Sequence, residues 1–323
     1  MGNREWKVSK EEYQKLLKFL GYGNFREADL VIFGNEEGAG GYSIEANVKA
    51  RCESYGKDPN GNYINCLEEN DWTGGYWDLE ENGQQKILKH LLPSEKAQKE
   101  GYTRGAFLPA VARICLGLEN KNEDVEAWFK SYADNGDAAK DIKRYIRETL
   151  FKKNDKIQSA LVDWRPLPRQ TESIWYPVEY GEISPTRTNN PYLRAFNKPK
   201  VSRTANSNSF SNFNQDVESR ASTIHALFKT IPSKVIIGFG GANGIKKEVF
   251  EKIFGENIFE PLEFKTVDVS YLNSYKAKVS VGEKDIHIFL LPFPEIGTVF
   301  KSHDDQLKCL KELTVSYVAP LVG

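Results

Sequence analysis

The stretch DLVIFGNEEG, residues 29–38, decides the fold. Its first half is a continuous apolar run of strand length, and Gly34 ends that run. A strand that is buried on both faces has this pattern, which is typical of the parallel sheets of α/β proteins. A glycine-rich segment follows, and we predict a helix over residues 43–52 after it. The order strand, loop, helix is the repeating unit of such a sheet.

The same order recurs along the chain. Ser9 and Glu12 have the spacing of a capping box, which predicts a first helix. Strands and helices that alternate imply a mostly parallel central sheet, and we expect a three-layer α/β/α sandwich. Strands are predicted over 157–162 (ending at Asp163), 234–239 and 285–291, a hairpin over 263–269 and 275–281, and helices over 245–254 and 302–317.

A long segment separates the first two predicted parallel strands. It exceeds the length of one crossover connection, and we interpret residues 53–150 as a helical insertion within a single domain that spans residues 1–323. Within it, helices are predicted over 84–92, 106–118, 125–133 and 138–151.

Composition and charge exclude several classes of protein. The chain has 44 Lys and Arg against 45 Asp and Glu, so it is not a histone-like basic binder. Its hydrophobic content of 40% is that of a globular protein and not of a disordered one. No stretch approaches the roughly 20 apolar residues of a membrane span, and the N-terminus has no signal-peptide core. We therefore expect a cytoplasmic protein without a membrane partner.

The sequence predicts neither a metal nor a cofactor. Its four cysteines form no CxxC pair and its four histidines no HExxH motif, which argues against a zinc site and against a disulfide scaffold. The glycine-rich run 238–244 has glycines at its first, third and seventh positions, whereas the dinucleotide fingerprint requires the first, third and sixth.

Chemically useful residues follow the predicted strands, at the edge where ligands of open α/β sheets bind. Glu36 and Glu37 come after the first strand, and partial burial there would make either carboxylate a useful base. We leave open which of the two acts. Phe293, between Pro292 and Pro294, forms a stiff apolar tip like the wedges that some proteins insert between nucleic-acid bases.

A basic segment is hidden by the balanced total charge. Residues 152–234 hold 13 Lys and Arg but only 7 Asp and Glu. This segment is either a solvated loop or a surface that faces phosphates. The candidate phosphate-binding residues are Arg165, Arg169, Arg194, Lys198, Lys200 and Arg203.

Taken together and in this order, three of these loops resemble the uracil-DNA glycosylase superfamily. Residues 34–38, GNEEG, are similar in position and glycine spacing to its first motif. The run ALVDWRPLPR, residues 160–169, is similar to the end of the second strand in the thermostable branch. Residues 291–294, LPFP, keep both prolines of the DNA-inserting HPSP loop. The resemblance covers about 1–50 and 155–323 and implies an α/β/α sandwich that acts on double-stranded DNA.

The resemblance implies roles for individual residues. Glu36 or Glu37 would orient or deprotonate water or stabilise the sugar cation, with Asn35 assisting. Phe293 would fill the gap that a flipped base leaves. The base-binding candidates are Tyr42, Phe33, Trp164 and Asp163, of which Asp163 would accept a hydrogen bond from a cytosine amino group.

Departures from the family pattern point away from uracil. Ala160 stands where the uracil-reading Asn would be, and Leu291 replaces the His of the last motif. The iron–sulfur CxxC is missing. The whole set is similar to bacterial anti-phage glycosylases that remove glucosylated hydroxymethylcytosine. We therefore expect a DNA glycosylase that excises a modified base.

Two other interpretations remain open from the sequence. A nucleotide- or nucleoside-processing enzyme on a similar sandwich would use the same carboxylates without a wedge. A non-catalytic DNA-binding module would bind DNA yet keep its function after Glu36→Ala.

Overall fold

The described residues of the computed structural model form a seven-stranded sheet flanked by helices. They are residues 6–38, 43–53, 106–120, 125–131, 136–169, 175–185, 187–201, 205–242, 244–266, 273–297 and 299–322. The strands are β1 (Gly21–Tyr22), β2 (Leu30–Gly38), β3 (Ser159–Arg169), β4 (Val235–Phe239), β5 (Glu260–Pro261), β6 (Tyr275–Val281) and β7 (Lys284–Leu291).

The helices largely match the predicted ones. The capping box is present: Glu12 N donates to Ser9 Oγ (3.2 Å), and Ser9 N donates to Glu12 Oε2 (2.7 Å). The α-helices are α1 (Lys10–Lys18), α2 (Ile44–Glu53), α3 (Phe107–Glu119), α4 (Gly136–Glu148), α5 (Pro191–Asn197), α6 (Phe213–Thr230), α7 (Ile245–Phe254) and α8 (His303–Glu312), which continues as a π-helical segment, Leu313–Val318.

The sheet is mostly parallel, as predicted. Its strand order is β1-β3-β2-β4-β7-β6-β5, and β3, β2, β4 and β7 form a parallel core with antiparallel strands at both edges. The chain runs from β2 to β3 on one side and later enters β4 on the other side of β2. Open α/β sheets bind ligands at such a reversal, beyond the carboxyl ends of the strands. The topology therefore predicts a ligand site at the carboxyl ends of β2 and β4.

Two clusters of buried side chains draw on alternate positions of the strands. Val31 and Phe33 of β2 belong to one cluster, with α1, α2, α6 and α7. Leu30 and Ile32 belong to the other, with α3, α4 and α8. Because successive strand residues point to opposite faces, both faces of β2 are covered by apolar side chains. The described helices of the 53–150 segment thus share a core with the sheet.

Strands β2 and β3 extend further than the sequence pattern indicated. Residues 34–38 were expected to form a loop, yet they continue β2, and β3 runs on from Asp163 to Arg169. The extensions pair with each other: Glu36 lies opposite Arg165 and Gly38 opposite Arg169, with a register shift between them. An apolar pattern does not predict these strand extensions, because several of their side chains are charged. The charges are tolerated there because Glu36 of β2 pairs with Arg165 and Arg169 of β3.

The predicted hairpin was wrong in its first strand. Residues 262–266 are not in a strand; β5 is confined to Glu260–Pro261, and the hairpin joins β6 to β7. Gly282 has a φ of 67°, the left-handed conformation that the two-residue turn between these strands requires. The predicted helix over 125–133 is only a short 3-10 helix, Val125–Phe129.

Some predictions fall on residues that the structure does not describe. The helix expected over 84–92 and the cysteine at position 66 lie outside the described residues. Among the described helices, none combines the length and apolar character that a membrane crossing requires.

Candidate functional site

The carboxyl ends of β2, β3, β4 and β7 bring the sequence-predicted site residues to one edge of the sheet. Asn35, Glu36 and Glu37 lie on β2. Asp163 lies on β3, where it pairs with Gly34 of β2. The Pro-Phe-Pro tip follows β7 directly. Because open α/β sheets bind ligands in a crevice at such a reversal, we call the region between the ends of β2 and β4, next to the tip, the switch-point crevice.

Glu36 is the centre of a buried ion cluster. Arg165 Nε lies 3.0 Å from its Oε2, and Arg169 Nη2 lies 2.5 Å from its Oε1. The hydroxyl of Tyr176 donates to Oε2 at 2.7 Å. The Glu36 side chain is only 6% exposed. Two arginines and one hydroxyl surround the carboxylate, so Glu36 holds β2 to β3 and has little capacity left to activate water.

Glu37 is held in a similar way. Arg51 donates to Glu37 Oε2 through Nε (2.8 Å) and pairs through Nη2 (2.6 Å), and the hydroxyl of Tyr22 donates to Oε1 (2.5 Å). Burial raises the pKa of Tyr22 well above its usual value, so this hydroxyl remains a donor. The cluster ties α2 and β1 to the end of β2.

Asp163 differs from both glutamates. It is buried with 7% of its surface exposed, and its carboxyl lies against Gly34: a Cβ built on Gly34 would come within 1.9 Å of Asp163 Oδ1. Within the part of the chain that the structure describes, no hydrogen-bond donor meets this carboxyl. Burial, with a contribution from the charge of Glu37, raises the pKa of Asp163 to about 7.

Asn35 is fixed from the β4 side of the crevice. The side chain of Lys246, the second residue of α7, is fully buried and its Nζ donates to Asn35 Oδ1 at 2.6 Å. Its aliphatic stem passes beneath Gly238, where a Cβ would meet Lys246 Cδ at 3.0 Å. Gly241, in the left-handed conformation, lies next to the Asn35 amide. The buried lysine therefore fixes the orientation of the Asn35 amide.

The Pro-Phe-Pro tip is supported from below. Phe293 is 41% exposed, and its ring lies nearly parallel to that of Phe107, with 6.2 Å between centroids. Gly240, also left-handed, lies against Phe293. Gln306 donates to the carbonyl of Pro294 at 2.7 Å, which fixes the far end of the tip. Pro292 is half-buried and Pro294 is buried. The tip therefore presents one aromatic ring beside the crevice.

Two base-binding candidates lie in the core instead. Phe33 is fully buried against Phe250, with 4.6 Å between ring centroids. Trp164 is fully buried and its Nε1 donates to the carbonyl of Phe196 at 2.7 Å. Because side chains alternate along a strand, both point to the sheet face that is covered by helices. Tyr42 lies outside the described residues.

The basic segment has several separate tasks. Arg220 is fully buried and donates to backbone carbonyls, among them those of Leu17 (2.6 Å) and Phe19 (3.0 Å). Lys200 pairs with Glu251 (2.8 Å) and Glu256 (3.4 Å), at the end of α7 that points away from the crevice. These two cations are therefore engaged in holding the fold.

The remaining basic candidates are arranged differently. Arg194 donates to the carbonyl of Ala205 at 2.7 Å, and Lys198 is exposed. Arg203 lies outside the described residues.

A groove of about 650 Å³ lies at the opposite edge of the sheet. Asp29, Glu119 and Lys234 are among the residues that line it, and they lie near the amino ends of the strands. Glu119 is engaged by the hydroxyl of Tyr145 at 2.7 Å. Ligands of open α/β sheets bind at the carboxyl edge, so we assign the site to the switch-point crevice.

Four residues of the site were not singled out in the sequence: Lys246, Arg51, Tyr22 and Tyr176. Lys246 had a usable signal, since it lies two residues after Gly244, the end of the glycine-rich run that follows a buried strand. The other three come from distant segments, and no local pattern marks them.

No family model, no curated protein and no solved structure matches the chain. Within the described ranges, no group of three or more His, Cys, Asp and Glu side chains is placed to hold a metal ion.

Proposed function

We propose that this protein is a DNA glycosylase that hydrolyses the N-glycosidic bond of a flipped, modified base and leaves an abasic site. The observation that carries the proposal is the tip: Phe293 projects beside a crevice that contains Asn35 and Asp163. An enzyme that acts on a base inside a duplex must take that base out of the stack. An exposed ring next to a polar crevice supplies a wedge and a pocket together.

In this proposal each element of the site has a physical task. Phe293 enters the stack and offsets part of the unstacking cost of a few kcal/mol. Asn35, whose amide oxygen accepts from Lys246, assists in positioning the substrate. Asp163 accepts from the exocyclic amino group of a cytosine-type base. Glu36 and Glu37, with their arginines, are positioning residues that fix the ends of β2 and β3.

The proposal includes the wider setting. We propose a three-layer α/β/α sandwich like that of the uracil-DNA glycosylase superfamily; the two buried clusters, which use alternate positions of β2, support it. The partner is double-stranded, base-modified DNA, with glucosylated hydroxymethylcytosine as the first candidate, and the location is the cytoplasm. Lys198, an exposed basic residue of the 152–234 segment, is the first candidate for a phosphate contact.

An abasic-site assay with a matched pair of variants tests the proposal. Wild type, Phe293→Ala and Val315→Ala would be incubated with unmodified, uracil-containing and glucosylated-hydroxymethylcytosine duplexes, followed by alkaline cleavage. Val315 is a suitable control because it is also an exposed apolar residue (43%) but lies on the π-helical segment after α8. We expect cleavage of the glucosylated duplex alone, a loss of at least about tenfold in Phe293→Ala, and no change in Val315→Ala.

Other outcomes would replace the proposal. Tight DNA binding without cleavage of any duplex would favour a non-catalytic DNA-binding module. Binding of free nucleotides but not of DNA would favour a nucleotide-processing enzyme. Cleavage of the uracil duplex alone would keep the reaction class and overturn the modified-base substrate.

A further inference from the structure

Asp163 combines features that neither ion-paired glutamate has. Its carboxyl lies at the switch-point crevice, occupies the space that a side chain on Gly34 would fill, and retains 7% exposure. In the described part of the chain no donor satisfies it. Glu36 and Glu37 each pair with arginine nitrogens at 2.5–3.0 Å. Burial without donors favours the neutral form of a carboxyl, and a neutral carboxyl is itself a hydrogen-bond donor.

We propose that Asp163 is the general acid of the reaction and that it donates its proton to N3 of a cytosine-type base. This inference rests on the proposed glycosylase function and extends it by naming the acid and the class of base. Its geometric support is the position of Asp163: it pairs with Gly34, the residue before Asn35, and its carboxyl lies against Gly34 at the carboxyl end of β2.

The two oxygens of a neutral carboxyl match the edge of cytosine. The hydroxyl oxygen donates to N3, which is an acceptor in cytosine, while the carbonyl oxygen accepts from the N4 amino group. Uracil carries a hydrogen on N3, so it cannot take up a proton at that atom. The same carboxyl therefore assists the departure of a cytosine-type base and gives no such help to uracil.

The step balances without any further reactant. The Asp163 proton moves to N3, the C1′–N1 bond breaks, and its electron pair stays on N1, so the base leaves as a neutral molecule. Water adds to C1′ of the sugar cation and loses a proton to the Asp163 carboxylate, which restores the acid. General-acid assistance of this kind contributes typically about 10²–10⁴-fold in rate.

Charged and titratable groups face Asp163 from several elements. Glu37 on β2 disfavours its ionisation, while Lys246 on α7, Arg220 on α6 and Arg51 on α2 favour it. Tyr22 on β1 also interacts with it. Burial outweighs the three cations and raises the pKa of Asp163 to about 7, so the carboxyl is protonated in a large fraction of molecules at neutral pH.

The test is a pH series of single-turnover excision on a duplex containing glucosylated hydroxymethylcytosine. Wild type is compared with Asp163→Asn and with the control Asp29→Asn. Asp29 is half-buried, and burial raises the pKa of its carboxyl too, but this carboxyl accepts from Gln158 N at the opposite edge of the sheet. We expect the wild-type rate to fall with increasing pH above about 7 and Asp163→Asn to be about 10²–10⁴-fold slower with that pH dependence lost. Asp29→Asn should keep the wild-type rate and pH profile.

The outcomes separate the two proposals. If wild type cleaves the glucosylated duplex but Asp163→Asn, folded by circular dichroism, keeps its rate and pH profile, the general-acid assignment is overturned and the glycosylase proposal survives. If wild type forms no abasic sites in any duplex, the glycosylase proposal itself falls, and this inference with it.

Discussion

At the scale of single residues, neighbouring carboxylates in this site have opposite environments. Glu36 is surrounded by cationic donors, whereas Asp163 is buried where the described residues provide none. The same functional group is therefore held as an anion on β2, whereas on β3 burial raises its pKa. The difference comes from partners that are distant in sequence.

The raised pKa of Asp163 makes the stability of the fold depend on pH. An aspartate in the unfolded chain ionises near pH 3.9, but in the folded protein near pH 7. The folded state thus binds more protons between these values, and stability falls as pH rises from about 4 to about 7. We predict that Asp163→Asn is more stable than wild type at pH 8 by up to about 4 kcal/mol, and by much less at pH 5.

Urea unfolding of both proteins at pH 5 and pH 8 measures this difference. Asp285→Asn is a control of opposite sign, because the hydrogen bonds and charge of its neighbours, Lys278 first, lower the pKa of Asp285. A gain in Asp163→Asn that is the same at both pH values would show that Asp163 is ionised throughout.

At the scale of elements, the Glu36 cluster joins β2, β3 and Tyr176. Replacing Glu36 with Gln leaves Arg165 and Arg169 buried without their carboxylate, and breaking a buried pair in this way typically costs about 3–5 kcal/mol. We predict a loss of that size in urea unfolding for Glu36→Gln. Asp304→Asn, which breaks the exposed pair with Lys308, should change stability little.

The same variant distinguishes two roles for Glu36. If Glu36 were the base that activates water, Glu36→Gln would abolish excision while the protein remained nearly as stable as wild type. A fold-stabilising role instead predicts a large loss of stability, with the pH profile of the residual activity unchanged.

The sequence predicted the elements with strong apolar patterns and missed those that depend on pairing. The helix 245–254 and the strands β4 and β7 follow from their apolar runs and the turns beside them. The extensions of β2 and β3 were missed because several of their side chains are charged. A charged stretch predicts a loop unless the oppositely charged partner strand is known. The sequence predicted that Asn35, Glu36, Glu37 and Asp163 share one edge of the sheet, as the strand pairing has them. Phe33 and Trp164 were predicted to contact the base, but strand alternation turns both side chains into the core.

At the scale of the whole molecule, the strand order determines where the site lies. The chain order reverses about β2, between β3 and β4, which places the switch-point crevice at the carboxyl edge of the sheet. Asn35, Asp163, Lys246 and Phe293 come to this edge from separate parts of the chain. Apolar clusters on alternate strand positions pack against the sheet that supports them. A polar crevice beside an exposed ring on such a support is the arrangement on which the glycosylase proposal depends.

The most direct test of that proposal is the detection of the free base. Wild-type protein would be incubated with duplex DNA that contains glucosylated hydroxymethylcytosine, and the small-molecule fraction analysed by mass spectrometry. The account predicts release of the intact glucosylated base, in amounts equal to the abasic sites formed and absent from unmodified DNA. The proposal would be contradicted if the folded protein bound the duplex but neither abasic sites nor free base were formed.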